Sequence, residues 1–143
     1  MVRVTSTPAP GTAPLIRVAA AVIVDADGRW LLVRKRGTSA YMQVGGKLEP
    51  GEDARAAAVR EIAEETGAVV DPALVRDLGR VDTLAANEPG HRLEAHVFAV
   101  EGVTSAVATA EIAEAVWVTP AEARGLALAP LTRDLLDVHT VGA

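Results

Sequence analysis

The stretch from Gly45 to Gly67, GGKLEPGEDARAAAVREIAEETG, constrains this chain more than any other. Two glycines and a Pro50-Gly51 turn lead into a run with the composition of a helix. Ala54, Ala56, Ala57 and Ala58 are strong helix formers, and Gly67 supplies a C-terminal stop. Glu52 and Asp53 are expected in the first turn, where the helix dipole favours negative charge. At about 100° per residue, Glu61, Glu64 and Glu65 fall within roughly 100° of one another, on one face. Each like-charge pair at this spacing costs a few tenths of a kcal/mol, and a bound cation would relieve the repulsion. Carboxylate oxygens, in a chain without cysteine and with no histidine nearby, suit a hard ion such as Mg²⁺ or Mn²⁺ rather than zinc. A solvated acidic face is the alternative that the spacing alone leaves open.

The same residues carry a longer pattern. Gly46 is followed after five residues by Glu52, and after seven more by Arg60-Glu61. Ile62, Glu64-Glu65 and Gly67 complete it. At roughly 5–7% per fixed position, a chance match is on the order of one in a billion per register. The pattern resembles the signature of the Nudix hydrolase family. It departs only at Ala68, where the family has a larger aliphatic residue; Val69 follows.

The resemblance implies an α/β fold, the Nudix α/β/α sandwich with a mixed β-sheet. It also implies cleavage of a pyrophosphate bond in a nucleoside diphosphate joined to another group, with Mg²⁺ (or Mn²⁺) as cofactor. By position in the signature, Glu61, Glu64 and Glu65 are metal ligands. The Gly46 carbonyl is a further one, because glycine lets the backbone approach an ion closely. Arg60 is implied to orient Glu61; its alternative is a surface pair with Glu64 at i+4. Glu52 lies nine residues before Glu61, roughly 900° away and so on the opposite side of a straight helix. With Gly67 it is assigned a structural role, holding the loop and the helix start.

The general base stays open. Glu61 is one candidate. Glu114 is another, because EAVWV resembles the family's Glu-x-x-Trp stretch, and Glu111 lies three residues earlier. Lys47, Arg34 and Arg36 are candidates for substrate phosphates, with surface solubility as the alternative. Tyr41 and Phe98 are candidates to stack on a base, and core packing competes for Phe98. His91 and His96 lack a partner at metal-ligand spacing.

A pyrophosphohydrolase is the leading expectation, and a nucleotide-sensing module without turnover is its rival. Such modules lose glutamates of the Arg-Glu-x-x-Glu-Glu core, all of which stand here. Among substrates, no tyrosine follows Tyr41, no proline lies in Ala73–Asn87, and no Ser-Gln-Pro-Trp-type run occurs. These are places where the resemblance implies marker residues of the dinucleotide, ADP-ribose and NADH subclasses, and their absence leaves the MutT-like nucleoside triphosphate class, with nucleotide sugars and dinucleotides as alternatives.

Composition agrees. The 143 residues suffice for one domain that buries roughly two-thirds of its extended surface. A net charge of −5 argues against a nucleic-acid-coating protein. No apolar run reaches the ~18–20 residues of a membrane span, and no signal-peptide pattern opens the chain. The absence of cysteine fits a cytoplasmic protein. The expected partner is a small-molecule nucleotide, without nucleic acid or membrane, and a homodimer is left open.

In order, residues 1–14 read as a flexible arm and 15–143 as the Nudix domain. Leu15–Val24 and Trp30–Arg36, around the Asp25–Gly28 turn, read as a hairpin. Tyr41–Val44 leads into the glycines. Ala68–Val70 suggests a short strand. Ala73–Leu84 and Leu93–Val100 read as strands flanking the loop Ala85–His91, and Val116–Val118 as another. Thr119-Pro120-Ala121-Glu122 starts a helix with a capping box, and Pro130–Val138 forms the last amphipathic helix.

Overall fold

The computed structural model describes residues 15–84, 90–104, 106–107, 109 and 111–140. The expected arm (1–14) and residues 85–89 of the expected loop lie outside them. Six strands form one mixed sheet: β1 (Leu15–Ile23), β2 (Trp30–Lys35), β3 (Tyr41–Lys47), β4 (Arg76–Leu84), β5 (Arg92–Val100) and β6 (Ile112–Val118). Their order is β4-β5-β1-β3-β2-β6. β1 runs parallel to β5 and every other pairing is antiparallel. Helix α1 (Ala54–Thr66) covers one face. The short α2 (Pro120–Ala123) and α3 (Pro130–Thr140) cover the other. This is the expected sandwich. None of the described helices is long and apolar enough to cross a membrane.

Several expected elements need correction. The hairpin of β1 with β2 does not form: β3 lies between them, and only a Val24–Trp30 bridge joins their ends. Turn chemistry at Asp25–Gly28 reverses the chain but does not choose the partner. β1 is buried on both faces from Ala19 to Ile23 and β2 from Trp30 to Val33, and each has a strand at either edge. The glycines are part of β3 rather than a loop beyond it. Glu52 and Asp53 precede α1, and Asp53 caps it by accepting from the Ala56 N–H at 2.8 Å. Residues 68–70 form no strand. A 3₁₀ turn at Pro72–Leu74 delays β4 to Arg76, and the last sheet strand starts four residues early, at Ile112.

Small residues bring α1 down onto the sheet. Ala57, Ala58 and Ile62 are fully buried against Ala19, Ala21 and Val44. Gly45, with φ 153°, faces β1 so closely that a Cβ there would stand 2.2 Å from the Ala19 carbonyl oxygen. Opposite, Leu131, Leu135 and Leu136 of α3 pack on Ala20, Val22, Leu32 and Val97.

The close approach at Gly45 is directly testable. Gly45→Ala should cost more than about 2 kcal/mol, because the obstructing atoms are backbone and cannot turn aside. Urea denaturation measures this. A loss under ~0.5 kcal/mol would show that β1 and β3 are not held this tightly.

Candidate active site

Because α1 rests on alanine and glycine, its sheet-facing acids meet backbone. Glu61 lies against Gly46, where a Cβ would fall 2.4 Å from a Glu61 carboxylate oxygen. Glu65, four residues on, accepts from the Gly45 N–H at 3.2 Å and is 5% exposed. Glu64 points outward. The glutamates expected on one face therefore divide into two pressed on the sheet and one at the rim.

Arg60 ties the group together. Its guanidinium bonds Glu52 through Nε at 2.8 Å and Nη2 at 2.9 Å, Glu61 at 2.8 Å and Glu64 at 3.1 Å. It also donates to the Lys47 carbonyl at 3.0 Å. Glu52, off the helix, is free to fold back over it, so the straight-helix angle has no bearing on its position. Its carboxylate also accepts from the Glu49 N–H, clamping the loop to the helix. The Arg60 bonds and then the Glu49 N–H lower its pKa to about 2. Gly67 ends the helix in the left-handed conformation at φ 79°, donating to the Ala63 carbonyl.

Burial pushes the Glu65 carboxyl up to about 8. Lys35 and the Gly45 N–H oppose the rise, and Glu61 adds to it. Lys35, whose ammonium lies 4.0 Å from Glu65, is the cation the sequence reading passed over. Strand alternation contained the signal: Leu31 and Val33 face α1, so Lys35 does too, while Arg34 faces away.

Arg34, Tyr41 and Glu114 form a separate cluster. Glu114 accepts from Arg34 at 2.8 Å and from Tyr41 at 2.9 Å, and Arg34 also donates to the Thr38 carbonyl. These bonds, Arg34 first, hold the Glu114 pKa below its ordinary value. Tyr41 packs with the α3-side core. The structure thus does not bring this trio to the α1 glutamates. Arg36 is exposed at the end of β2, its N–H bonded to the Glu111 carbonyl. Lys47 is exposed at the end of β3, next to Gly46. Phe98 is fully buried and stacks on His96.

Residues 14–138 match the family model of the NUDIX domain. This chain belongs to the Nudix hydrolase family. It is 32% identical over 101 residues to a putative 8-oxo-dGTP diphosphatase of Bacillus subtilis (strain 168), covering 69% of this chain and 63% of that relative. The chain thus spans under two-thirds of that relative's length. The E. coli ORF135 protein is similar in structure, with a TM-score of 0.72 and 29% identity, covering 94% of both chains. A MutT protein from Methanosarcina mazei Go1 gives 0.74 and 25%, covering 89% of this chain and 94% of that one.

Among the described residues, no three acidic or histidine side chains converge into a ready metal cage. The Arg60 guanidinium stands between Glu61 and Glu64. The donor chemistry nevertheless suits a hard cation: an all-oxygen set, a buried carboxylate disfavoured as an anion, and a glycine leaving room beside Glu61.

The Glu65 environment predicts a pH response in chelator. The folded chain keeps this proton up to about 8, while the unfolded chain releases it near 4.5. A raised pKa contributes stability that is fully present below 4.5 and is lost as pH climbs through 8. Wild type in EDTA should therefore weaken relative to Glu65→Gln across that window. Urea titrations at three pH values read the two slopes, and parallel slopes would contradict the buried placement.

Proposed function

We propose that this Nudix hydrolase is a Mg²⁺-dependent pyrophosphohydrolase of nucleotides, of the MutT-like nucleoside triphosphate class, acting by attack of water on a phosphate. The observation that carries it is the interlocked group Glu52–Arg60–Glu61–Glu64, packed with Glu65 against Gly45 and Gly46. A sensing module has no need of every one of these charges. The name of the Bacillus relative favours a nucleoside triphosphate substrate.

Glu61, Glu64, Glu65 and the Gly46 carbonyl would hold Mg²⁺ or Mn²⁺. When bound, the ion neutralises phosphate charge and lowers the pKa of an attacking water. The chain's own residues supply position. Glu52 and the Lys47 carbonyl fix Arg60, and Arg60 fixes the Glu61 carboxylate. Lys47, exposed beside Gly46, is the better-placed contact for a substrate phosphate, because Arg34, bonded to Glu114, lies on the other sheet face. Glu61 is the leading general base. Glu114, already accepting two hydrogen bonds, is poorly suited to take a proton. Glu111, whose carbonyl accepts from the Arg36 N–H at the end of β2, is the remaining late-acid alternative.

A panel of nucleotides with Mg²⁺ tests the reading. Turnover should vanish in EDTA, and Glu61→Gln should lower kcat by about 10²-fold or more. Glu114→Gln should stay within about threefold of wild type. Turnover undiminished in EDTA would remove the metal, and a hundredfold loss in Glu114→Gln would restore that residue to the chemistry.

A further inference from the structure

Beyond the acidic group, on the α1 side of the sheet, lies an open cavity of about 550 Å³. The start of α1, Leu48 of the preceding loop, and strands β1, β5 and β4 form its walls. We propose that this cavity is the subsite for the nucleobase of the substrate; the proposal rests on the hydrolase reading above.

Its aromatic wall is prepared. His96 and Phe98, two apart on β5 and therefore on one face, stack with ring centroids 4.7 Å apart and planes 14° from parallel. Arg55 of α1 lies over the Phe98 ring, 5.3 Å from its centroid, and donates to the Val75 and Pro72 carbonyls. Phe98 is buried, whereas His96 is partly open and held by Asp77 at 2.9 Å. A planar base entering the cavity extends a stack whose orientation is already set. Base–aromatic stacking tolerates any base, because each has a π-face.

Strand β4 is bent to furnish the polar side. A bulge between Asp77 and Gly79, with Gly79 at φ 94°, brings Asp77 and Arg80 to the same cavity although they are three residues apart. Most charges there are already engaged. Asp77 bonds His96 and the Gly79 N–H, Glu94 bonds Arg17, and Asp53 caps α1. Arg80, opposite His96 in the β4–β5 register, makes no hydrogen bond or ion pair among the described residues. It remains a donor for acceptor atoms on a base or its sugar.

The separation suits one nucleotide. Leu48 is two residues from Gly46, at most about 7 Å of chain, and its N–H is bonded to the Arg17 carbonyl on β1. A base in the cavity would thus leave its phosphates near Gly46 and Glu61.

The test uses the full chain in EDTA, titrated with AMP, GMP, CMP and UMP and followed by amide chemical shifts. Ribose 5-phosphate is the control without a base. Shifts should centre on Leu48, Arg80 and His96, and ribose 5-phosphate should not reproduce them. His96→Ala should weaken mononucleotide binding about tenfold or more, and His96→Phe should hold it within about threefold. Arg80→Ala, at an exposed residue without partners among the described residues, guards against misfolding and should also weaken binding. In hydrolysis with Mg²⁺, the losses should fall on KM rather than kcat. The proposal is overturned if mononucleotides cause no shifts, if their shifts gather on the α3 face around Gln43, or if both alanine variants bind as wild type does. If wild type hydrolyses no nucleotide yet binds mononucleotides at His96, the hydrolase reading fails and the cavity assignment stands.

Discussion

The contact on which the rest depends is that of α1 with a sheet surface almost devoid of side chains. Ala19 and Ala21 on β1, with Gly45 and Gly46 on β3, offer the helix backbone rather than bulk. Ala57 and Ala58 meet it with equally small groups. Dispersion and burial reward so close an approach. Its consequence is electrostatic, because residues four and eight positions on from Ala57 are glutamates. Packing drives them into contact with peptide groups, and the sheet meets Glu65 with the Gly45 N–H and, at 4.0 Å, the Lys35 ammonium.

Arg60 makes this arrangement tolerable. Without it, Glu49, Glu52, Glu61 and Glu64 would face one another across the loop–helix junction. One guanidinium with five donors serves Glu52, Glu61, Glu64 and the Lys47 carbonyl, which a lysine ammonium could not do in the same geometry. The loop is therefore held by the same cation that orients the helix acids, so a change at Glu52 is felt at Glu61 without touching it.

Much of this was legible in the residues, and the failures have physical causes. Spacing along a helix is local, so the acidic face and the Gly67 stop could be read directly. Strand pairing is not local: the turn at Asp25–Gly28 announces a reversal, but β3 inserts beside β1 because its glycines fit Ala19 and Ala20. Arg34 and Tyr41, with Glu114 bonded to both, lie on the sheet face away from the α1 glutamates. Their nearness in sequence, or their place in a family pattern, carried no information about which sheet face they occupy. Two-residue alternation did carry it. Applied to β2, it assigns Lys35 to the α1 face and Arg34 to the α3 face, as Leu31 and Leu32 already indicate. Glu52 shows the opposite case: its assignment to the loop and helix start was argued from a helix angle that does not apply. The helix begins after it, and the ion pair with Arg60 depends on that.

Two carboxylates of the same signature thus acquire opposite proton affinities. Glu52, in the loop and against a guanidinium, has a pKa of about 2 and stays ionised throughout the working pH range. Glu65, on the helix and pressed into the sheet, has one of about 8. Their sequence neighbourhoods are alike, each beside another acid, and the difference arises from tertiary placement alone. The clamp on Arg60 is therefore insensitive to pH, while the group facing Lys35 is not. In a chain of net charge −5, an anionic substrate meets a field that repels it at long range. The site combines one permanently ionised brace with one buried acid whose neighbours include Lys35 and Glu61. On the proposed function, a cation held there would give an anionic substrate a local attraction that the net charge of the chain does not supply.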